Sequence, residues 1–466
     1  MLLKVPAALD PHFQPLSILF REYRDDVLKA PRSQRFVCAL ERNNGFASVW
    51  ETLILPDGVD DKRTVDLLER IVKSLLWIHG GYKITVSGSR MLYTRLKTAY
   101  SQSGARAFDA DFMQTNVYEK PFWVEYAENP DDIATAREGA SSIGRHLDGC
   151  RIGFDAGGSD RKVSAVIDGK AVFSEEVVWH PKIAADPAYH YEGILSSMKT
   201  AAAHLPRVDA IGVSSAGIYI DNKIMNASLF LQIPSDEFKK KVTNMYIDIA
   251  KAMGDVPLVV ANDGDVTALA GAMNMGVGNV LGIAMGTSEA GGYVNEDMQI
   301  MGWLNELAFV PIDFSPNAMA DEWSGDIGCG VKYFSQDGVI KLAPAAGIHL
   351  DEALTPAEKL DAVQAKLKEG HSGAAEIFQT IGVCFGYAIA YYALFYEIDH
   401  VLIMGRVTSG EGGHLLIRKA QEVLDKEFPE LAGRITLHLP DEKNRRVGQS
   451  VAAASLPRIP ANTGIH

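Results

Sequence analysis

The sequence predicts an α/β protein of more than one domain. Apolar strand-like runs alternate with runs of helical periodicity along most of the chain. Three of those strands end in clusters of Gly, Ser and Thr. The 466 residues exceed one ordinary core, and domains of about 100–200 residues make two or three the natural count.

Residues 1–150 read as a mixed α/β domain. RFVCALE (35–41) and FASVWETLIL (46–55) read as paired strands. The next run, 63–80, places Val65, Leu67, Leu68, Ile71, Leu75 and Leu76 at helical spacing. YKITVSGS (82–89) is a strand entering a Gly-Ser turn. Arg21, Arg24, Lys29, Arg32, Arg35 and Arg42 form a basic stretch. Glu22, Asp25, Asp26 and Glu41 interleave with it, which predicts a solvated helix face rather than a nucleic-acid contact. No helix-turn-helix is evident.

After residue 150 the same order of elements returns. RIGFDAGG (151–158) and VSAVIDG (163–169) read as strands, 191–205 as a helix and VDAIGVSSAG (208–217) as a strand. An internal duplication is one reading of this parallel. PLVVANDGDVTALAGAM (257–273) is strand, turn and helix, and VLGIAMGTSEAGGYV (280–294) is strand, Gly-rich turn and strand. A longer irregular region covers 295–345, and a charged amphipathic helix covers 351–370. IGVCFGYAIAYYALFY (381–396) carries no charge, but it is shorter than the roughly 20 residues that span a bilayer. A strand follows at once, so a buried core helix is predicted, its Gly382 and Gly386 allowing close packing on a sheet. HVLIMGRVTSGEGGHLLIRKAQEVL (400–424) is strand, Gly-rich loop and helix, and RITLHL (434–439) is the last strand.

The formal net charge is −14, which disfavours a nucleic-acid partner for the whole chain. Residues 1–150 hold 19 Lys and Arg against 20 Asp and Glu, so almost all the negative charge follows residue 150. This step supports a boundary near Cys150. The four cysteines are far apart and form no CxxC pair, which predicts a reduced, cytoplasmic protein. MLLKVPAALD lacks the apolar core of a signal peptide.

Chemistry concentrates in the small-residue loops. The first holds Asp155, Gly157, Gly158 and Ser159; the second Gly286, Thr287, Ser288, Gly291 and Gly292; the third Gly405, Ser409, Gly410, Gly412 and Gly413. Glycines let backbone N–H groups converge on phosphate oxygens, and hydroxyls add donors. Any one of these loops is equally a tight turn. Three in this order are more specific, although neither GxxxxGK[ST] nor GxGxxG fits. Between the first two, Asn262, Asp263 and Asp265 close a strand and open a helix. A helix cap explains them alone. A carboxylate at a strand's C-terminal end is also where α/β proteins bind ligands, and it can take a proton from a hydroxyl nucleophile.

Together these loops resemble the ROK family (repressors, open reading frames, kinases) of the actin/hexokinase/Hsp70 superfamily, over about residues 151–455. Asp155-Ala156-Gly157-Gly158-Ser159 resembles its first phosphate loop, D-x-G-G-T. Asn262-Asp263 resembles its catalytic pair, and 286–292 its second phosphate loop, G-T-G-x-G-G-G. SSAGIYIDNKIMNASL (214–229) resembles its sugar loop, with Gly217 and Ser228 at matching positions. The resemblance implies two RNase-H-like, actin-like ATPase lobes around a central cleft, at 151–280 and 281–466, behind an N-terminal α/β domain at 1–150. It implies ATP-dependent phosphorylation of a hexose or N-acyl hexosamine, with Asp263 as general base. Asn262, Glu306, Ser228 and Gly217 would bind the sugar. Gly157, Gly158, Ser159, Gly286, Thr287, Ser288, Gly405 and Arg406 would bind the nucleotide, and Asp155 would hold Mg²⁺ through water. A sugar and a nucleotide are the implied partners, without membrane or nucleic acid, and a homodimer is compatible with it.

The sequence also departs from the family. Phe309 stands where G-E-x-G-H has its His, and Val331 stands where a sugar-contacting Glu follows the last Cys. Of the zinc loop only Cys329 remains, with Glu322 and Ser324 at the first two Cys positions, so zinc is not expected. Asp160 occupies a position often held by Lys, and Arg406 interrupts a Gly-rich adenosine loop. An apolar acyl group would suit Phe309 and Val331. A non-catalytic sugar- or nucleotide-binding regulator is the alternative.

Overall fold

The computed structural model describes residues 2–133, 135–138, 143–440 and 442–460, with backbone alone for 442–447. The chain forms two compact units. The first comprises residues 1–139, 283–291 and 303–439, and the second 140–282, 292–302 and 440–466. This partition differs from the three consecutive domains expected from sequence. Residues 1–139 share a unit with most of the later chain, and the C-terminal segment returns to the second unit.

In the first unit, β1 (Gln34–Glu41), β2 (Ala47–Ile54), β3 (Lys83–Ser87) and β4 (Trp123–Tyr126) form a sheet in the order β2-β1-β3-β4. The expected hairpin is present, with Cys38 opposite Trp50.

In the second unit, β5 (Cys150–Ala156), β6 (Asp160–Ile167) and β7 (Lys170–Val178) form an antiparallel meander. Helix Pro187–Ala202 leads to β8 (Ala210–Ser215), which joins β5 in parallel. A small hairpin, β9 (Ile218–Ile220) and β10 (Lys223–Asn226), precedes β11 (Leu258–Asn262), which is parallel to β8. The sheet order is β11-β8-β5-β6-β7. β5 is buried along its whole length, which explains its near-continuous apolar run. Phe154, Val163, Val213, Ile194, Met198 and Tyr246 share the core under this sheet, each burial contributing about 1.5–3 kcal/mol. Helix Glu442–Ala454 crosses β5 and β8, where a side chain at Gly153 or Gly212 would collide with the carbonyls of Ser450 and Ala453.

The suggested duplication does not hold. β5 and β8 are parallel, but β1 and β3, their counterparts, are antiparallel. Element order and periodicity do not encode the direction in which a returning strand docks.

β12 (Val280–Met285), β13 (Glu289–Val294), β14 (His400–Met404) and β15 (Thr436–His438) form the remaining sheet, in the order β13-β12-β14-β15. Helix Ser372–Tyr392 is the one helix among the described residues long and apolar enough to cross a membrane, and most of it is buried inside the protein. Its Gly382 and Gly386 do allow close packing, but against helix Glu411–Glu427 rather than a sheet. A side chain at Gly382 would meet the Leu416 backbone, and one at Gly386 would lie 2.6 Å from Val423 Cβ. The basic stretch of the N-terminal region is not wholly solvated either. Arg42 is buried and pairs with Glu138 at 2.6 Å, and Arg21 reaches Glu427 at 3.2 Å. The four cysteines are buried and unpaired.

Candidate active site

Asp155 closes β5, the middle strand of its sheet, and the register decides its neighbours. Ser214 on β8 and Lys162 on β6 stand directly opposite. Ser214 Oγ donates to Asp155 Oδ1 at 2.8 Å, and Lys162 Nζ lies 4.0 Å from Oδ2. Burial raises the Asp155 carboxyl to about 6, against the pull of Ser214 and Lys162, and the charges of Asp263 and Asp160 add to the rise. Gly157, Gly158 and Ser159 turn the chain outward, with Gly158 and Ser159 exposed. The turn is braced from behind by Trp179, whose indole donates to the Gly157 carbonyl at 2.8 Å and whose N–H donates to the Ser159 carbonyl at 3.1 Å. Asp160 pairs with Lys162 at 2.8 Å, so its charge is neutralised within the loop.

Asn262 and Asp263 lie where β11 passes into helix Asp263–Met275. Asn262 caps that helix, its Oδ1 accepting from the Gly264 N–H at 2.8 Å. Its Nδ2 donates to the Gly217 carbonyl at 2.7 Å, tying the helix start to the turn after β8. Gly217 has φ +136, and a Cβ there would lie 2.6 Å from that of Ala227. Ser228 opens the short turn Ser228–Phe230 beyond β10 and is half-buried. Burial raises the Asp263 carboxyl above the ordinary carboxylate range. Asp155, Asn262, Asp263 and Gly217 thus share the C-terminal ends of three adjacent parallel strands and the chain just beyond them.

In the first unit, Gly286, Thr287 and Ser288 form the turn between β12 and β13. The Gly286 N–H donates to the Ser288 carbonyl at 3.0 Å, and Thr287 and Ser288 are exposed. Gly405, at φ +106, ends β14 against this turn, where a side chain would strike the Met285 backbone. Arg406 points to the surface and pairs with Asp361 at 2.7 Å. Glu306 is half-buried and begins the turn Leu307–Phe309. Phe309 is stacked on Trp77 at 4.2 Å, and Val331 is buried beside Ala308 and Cys329. An acyl pocket formed by both side chains is therefore not what this packing provides. Val331 belongs to the core, and Phe309 keeps only a partly exposed edge.

Several groups in these sites carry no motif. Ser214 and Lys162 reach Asp155 only through strand register. Lys182 lies over the first loop, with Cε 2.9 Å from where a Gly158 Cβ would stand. Gln449, from the C-terminal helix, donates to Ser214 Oγ at 3.1 Å. Glu289, next to Ser288, is buried; Tyr392 donates to its Oε1 at 3.4 Å, and Oε2 has no partner among the described residues. Burial raises this carboxyl to about 8, so it is protonated at neutral pH. The alternation of β6 and the SerSer pair ending β8 were the only hints in sequence.

The donor set around Asp155 fits a magnesium nucleotide: one strand-end carboxylate, an exposed Gly-Gly-Ser turn and two lysines. The positions resembling a zinc loop do not fit zinc. Glu322 is paired with Lys332, Ser324 Oγ donates to Asp321 at 2.7 Å, and the Cys329 thiol lies 3.8 Å from the buried Lys73 ammonium. Burial pushes that thiol up to about 11. A structural zinc takes about four nitrogen or thiolate ligands, and here a single protonated thiol stands among oxygen donors that are already engaged. Asp326 instead gathers cations: Lys73 at 2.5 Å, Arg70 at 2.6 Å and Arg106 at 2.8 Å. Burial opposes ionisation of Asp326, but Lys73, Arg70 and Arg106 outweigh it and hold the carboxyl well below its ordinary range.

No protein-family model and no curated protein matches the sequence. Solved structures do. A ROK family transcriptional regulator, a homolog of the E. coli MLC protein, is 18% identical, with a TM-score of 0.53 over 66% of this chain and 79% of that one. A ROK hexokinase from Thermus thermophilus is 17% identical, with a TM-score of 0.51 over 65% of this chain and 97% of that one. The likeness is one of architecture, and by it this α/β chain shares the fold of the ROK proteins over 65–66% of its length.

Proposed function

We propose that this protein transfers the terminal phosphoryl group of ATP to a sugar hydroxyl, with Asp263 as general base. One observation carries the reading. Asp155 and Asp263 are two carboxylates on the same side of one sheet, at the ends of β5 and β11 with β8 between them; the charge of Asp263 reaches Asp155, and burial raises both. A raised carboxylate is a better proton acceptor near neutral pH. Separate roles for such a pair, one toward metal and one toward a hydroxyl proton, match what phosphoryl transfer asks of a protein.

Magnesium ATP, when bound, supplies the phosphoryl group and offsets the charge of its oxygens. The residues do the rest by position and electrostatics. Asp155 would hold the metal through water. Gly157, Gly158, Ser159, Gly286, Thr287 and Ser288 offer backbone and hydroxyl donors to phosphate, and Gly405 and Arg406 belong to the nucleoside side. Asp263 takes the proton of the attacking hydroxyl at its carboxylate. Asn262 acts by tying the Gly217 turn to the helix start, since its Nδ2 is engaged at Gly217 and its Oδ1 at Gly264. Glu306 and Ser228 are assigned to the sugar. The hexokinase neighbour supports this reaction class. Four free thiols accord with a cytoplasmic setting.

A second reading, a binding protein without turnover, is favoured by one feature: Phe309 and Val331 sit in apolar packing where the resemblance expects polar sugar contacts. A coupled ADP-release assay with Mg-ATP and a panel of hexoses and N-acyl hexosamines separates the two. Sugar-stimulated ADP release that Asp263→Asn removes is the expected result. Thermal stabilisation by a sugar, with neither ADP release nor stabilisation by Mg-ATP, supports the second reading.

A further inference from the structure

Helix Asp61–His79 ends with its free carbonyls fully used. The last four carbonyls of a helix lack partners within it. Here Leu76 O accepts from the Gly80 N–H at 2.9 Å and His79 O from Arg42 Nη1 at 3.0 Å. The other two go to the candidate sugar segment: Trp77 O accepts from the Glu306 N–H at 3.1 Å, and Ile78 O from the Asn305 N–H at 2.9 Å. Side chains repeat the contact. The Trp303 ring stacks on His79 at 4.3 Å, and the Phe309 ring on Trp77 at 4.2 Å. Gly80, at φ +80, leaves the room for this approach, since a Cβ there would lie 2.9 Å from Leu304 Cγ. The indole is fixed in turn, with Nε1 donating to Asp109 Oδ1 at 3.0 Å and Phe112 packed 5.3 Å away. One turn earlier, Lys73 and Arg70 grip Asp326.

We infer that helix Asp61–His79 is the support that positions the acceptor-binding segment 303–309, with Trp77 as its positioning residue. The role of the N-terminal region is then to hold Glu306 in place, in a position whose zinc-like loop is tied down by ion pairs. This rests on the reading of Glu306 as a sugar contact, and it assigns to the N-terminal region the part of an acceptor scaffold rather than of an appended module.

The test is hydrogen exchange on the full chain, comparing wild type, Trp77→Leu and Trp77→Phe. Trp77→Leu is expected to speed exchange at 303–310 while leaving 157–167 unchanged, and Trp77→Phe, which keeps a ring on Phe309, is expected to resemble wild type. Phe309→Leu removes the same stack from its half-exposed side and gives the result should Trp77→Leu not fold. Unchanged exchange at 303–310, or a rise spread equally over both segments, overturns the inference. In the assay with Mg-ATP and the best acceptor of the panel, Trp77→Leu should raise the acceptor KM about tenfold with the ATP KM unchanged, and an equal rise in both overturns it. The exchange measurement needs no turnover. A wild-type protein without sugar-dependent ADP release sinks the kinase reading and leaves that measurement standing.

Discussion

Asp155 and Asp263 differ in what surrounds them, and the difference makes separate predictions. Asp263 must be ionised to take a proton, and burial raises its carboxyl. Turnover should therefore fall on the acid side at a pH above the ordinary carboxylate value of about 4, read from kcat/KM against pH. Asp263→Asn should lower kcat by about 10²–10⁴ while leaving the thermal transition in place; unchanged turnover would remove Asp263 from the chemistry. Asp155 bears on stability. Burial raises its folded carboxyl to about 6, against about 3.9 for an unperturbed aspartate. Across that window the folded state holds a proton that the unfolded state has lost, so stability falls as pH rises, and the full cost is present above about 6. Asp155→Asn keeps an oxygen for Ser214 but no charge. Without magnesium it should be more stable than wild type by about 1–3 kcal/mol at pH 7.5, with the gap closing toward pH 4. Urea unfolding at both pH values measures this, and a gap that widens in acid would contradict it.

Among the elements, the loop carrying Asp326 and the helix Asp61–His79 are joined by charge rather than by apolar packing. Three cations on one buried carboxylate are tolerable because Glu69 and Asp109 share the load, Glu69 pairing with Arg106 and Asp109 lying 4.0 Å from Lys73. Asp326→Asn would leave buried cations without their main counter-charge and should cost about 3–5 kcal/mol in chemical unfolding. The β5–β8 contact with the C-terminal helix depends instead on absence of bulk. Gly153→Val would push Ser450 and its helix off the sheet, and it should destabilise by several-fold more than Val→Ala at the exposed Val172 of β7. A calorimetric scan of the two variants settles the order.

At the scale of the whole chain, the two compact units are not consecutive stretches of sequence, and this limits how it can be cut. Residues 1–139 supply Trp50 to the Leu394 carbonyl, Ser74 to Tyr391 and the Val5 carbonyl to Tyr387. A chain of residues 140–466 alone should fail to fold, because helix Ser372–Tyr392 would lose the partners that bury its tyrosines. A soluble fragment with a cooperative thermal transition would refute this. The intact chain should bind Mg-ATP, and ligand at a hundred times its Kd should add about 2.7 kcal/mol to stability.

The α/β class, most strands and helices, and the loops that close them were legible in the residues alone, because apolar periodicity and Gly-Ser-Thr turns are local signals. Asp155, Asn262, Asp263 and the Gly286 turn were legible as strand-end residues for the same reason. Strand direction, the docking of the C-terminal helix and the membership of residues 1–139 in the larger unit were not legible. They depend on which surfaces meet after the chain has returned over hundreds of residues. That is also why Lys162 and Ser214 beside Asp155, the ion pairs on Asp326, and Trp77 beneath Glu306 and Phe309 appear only in the tertiary structure: register and packing placed them, and no spacing along the chain records either.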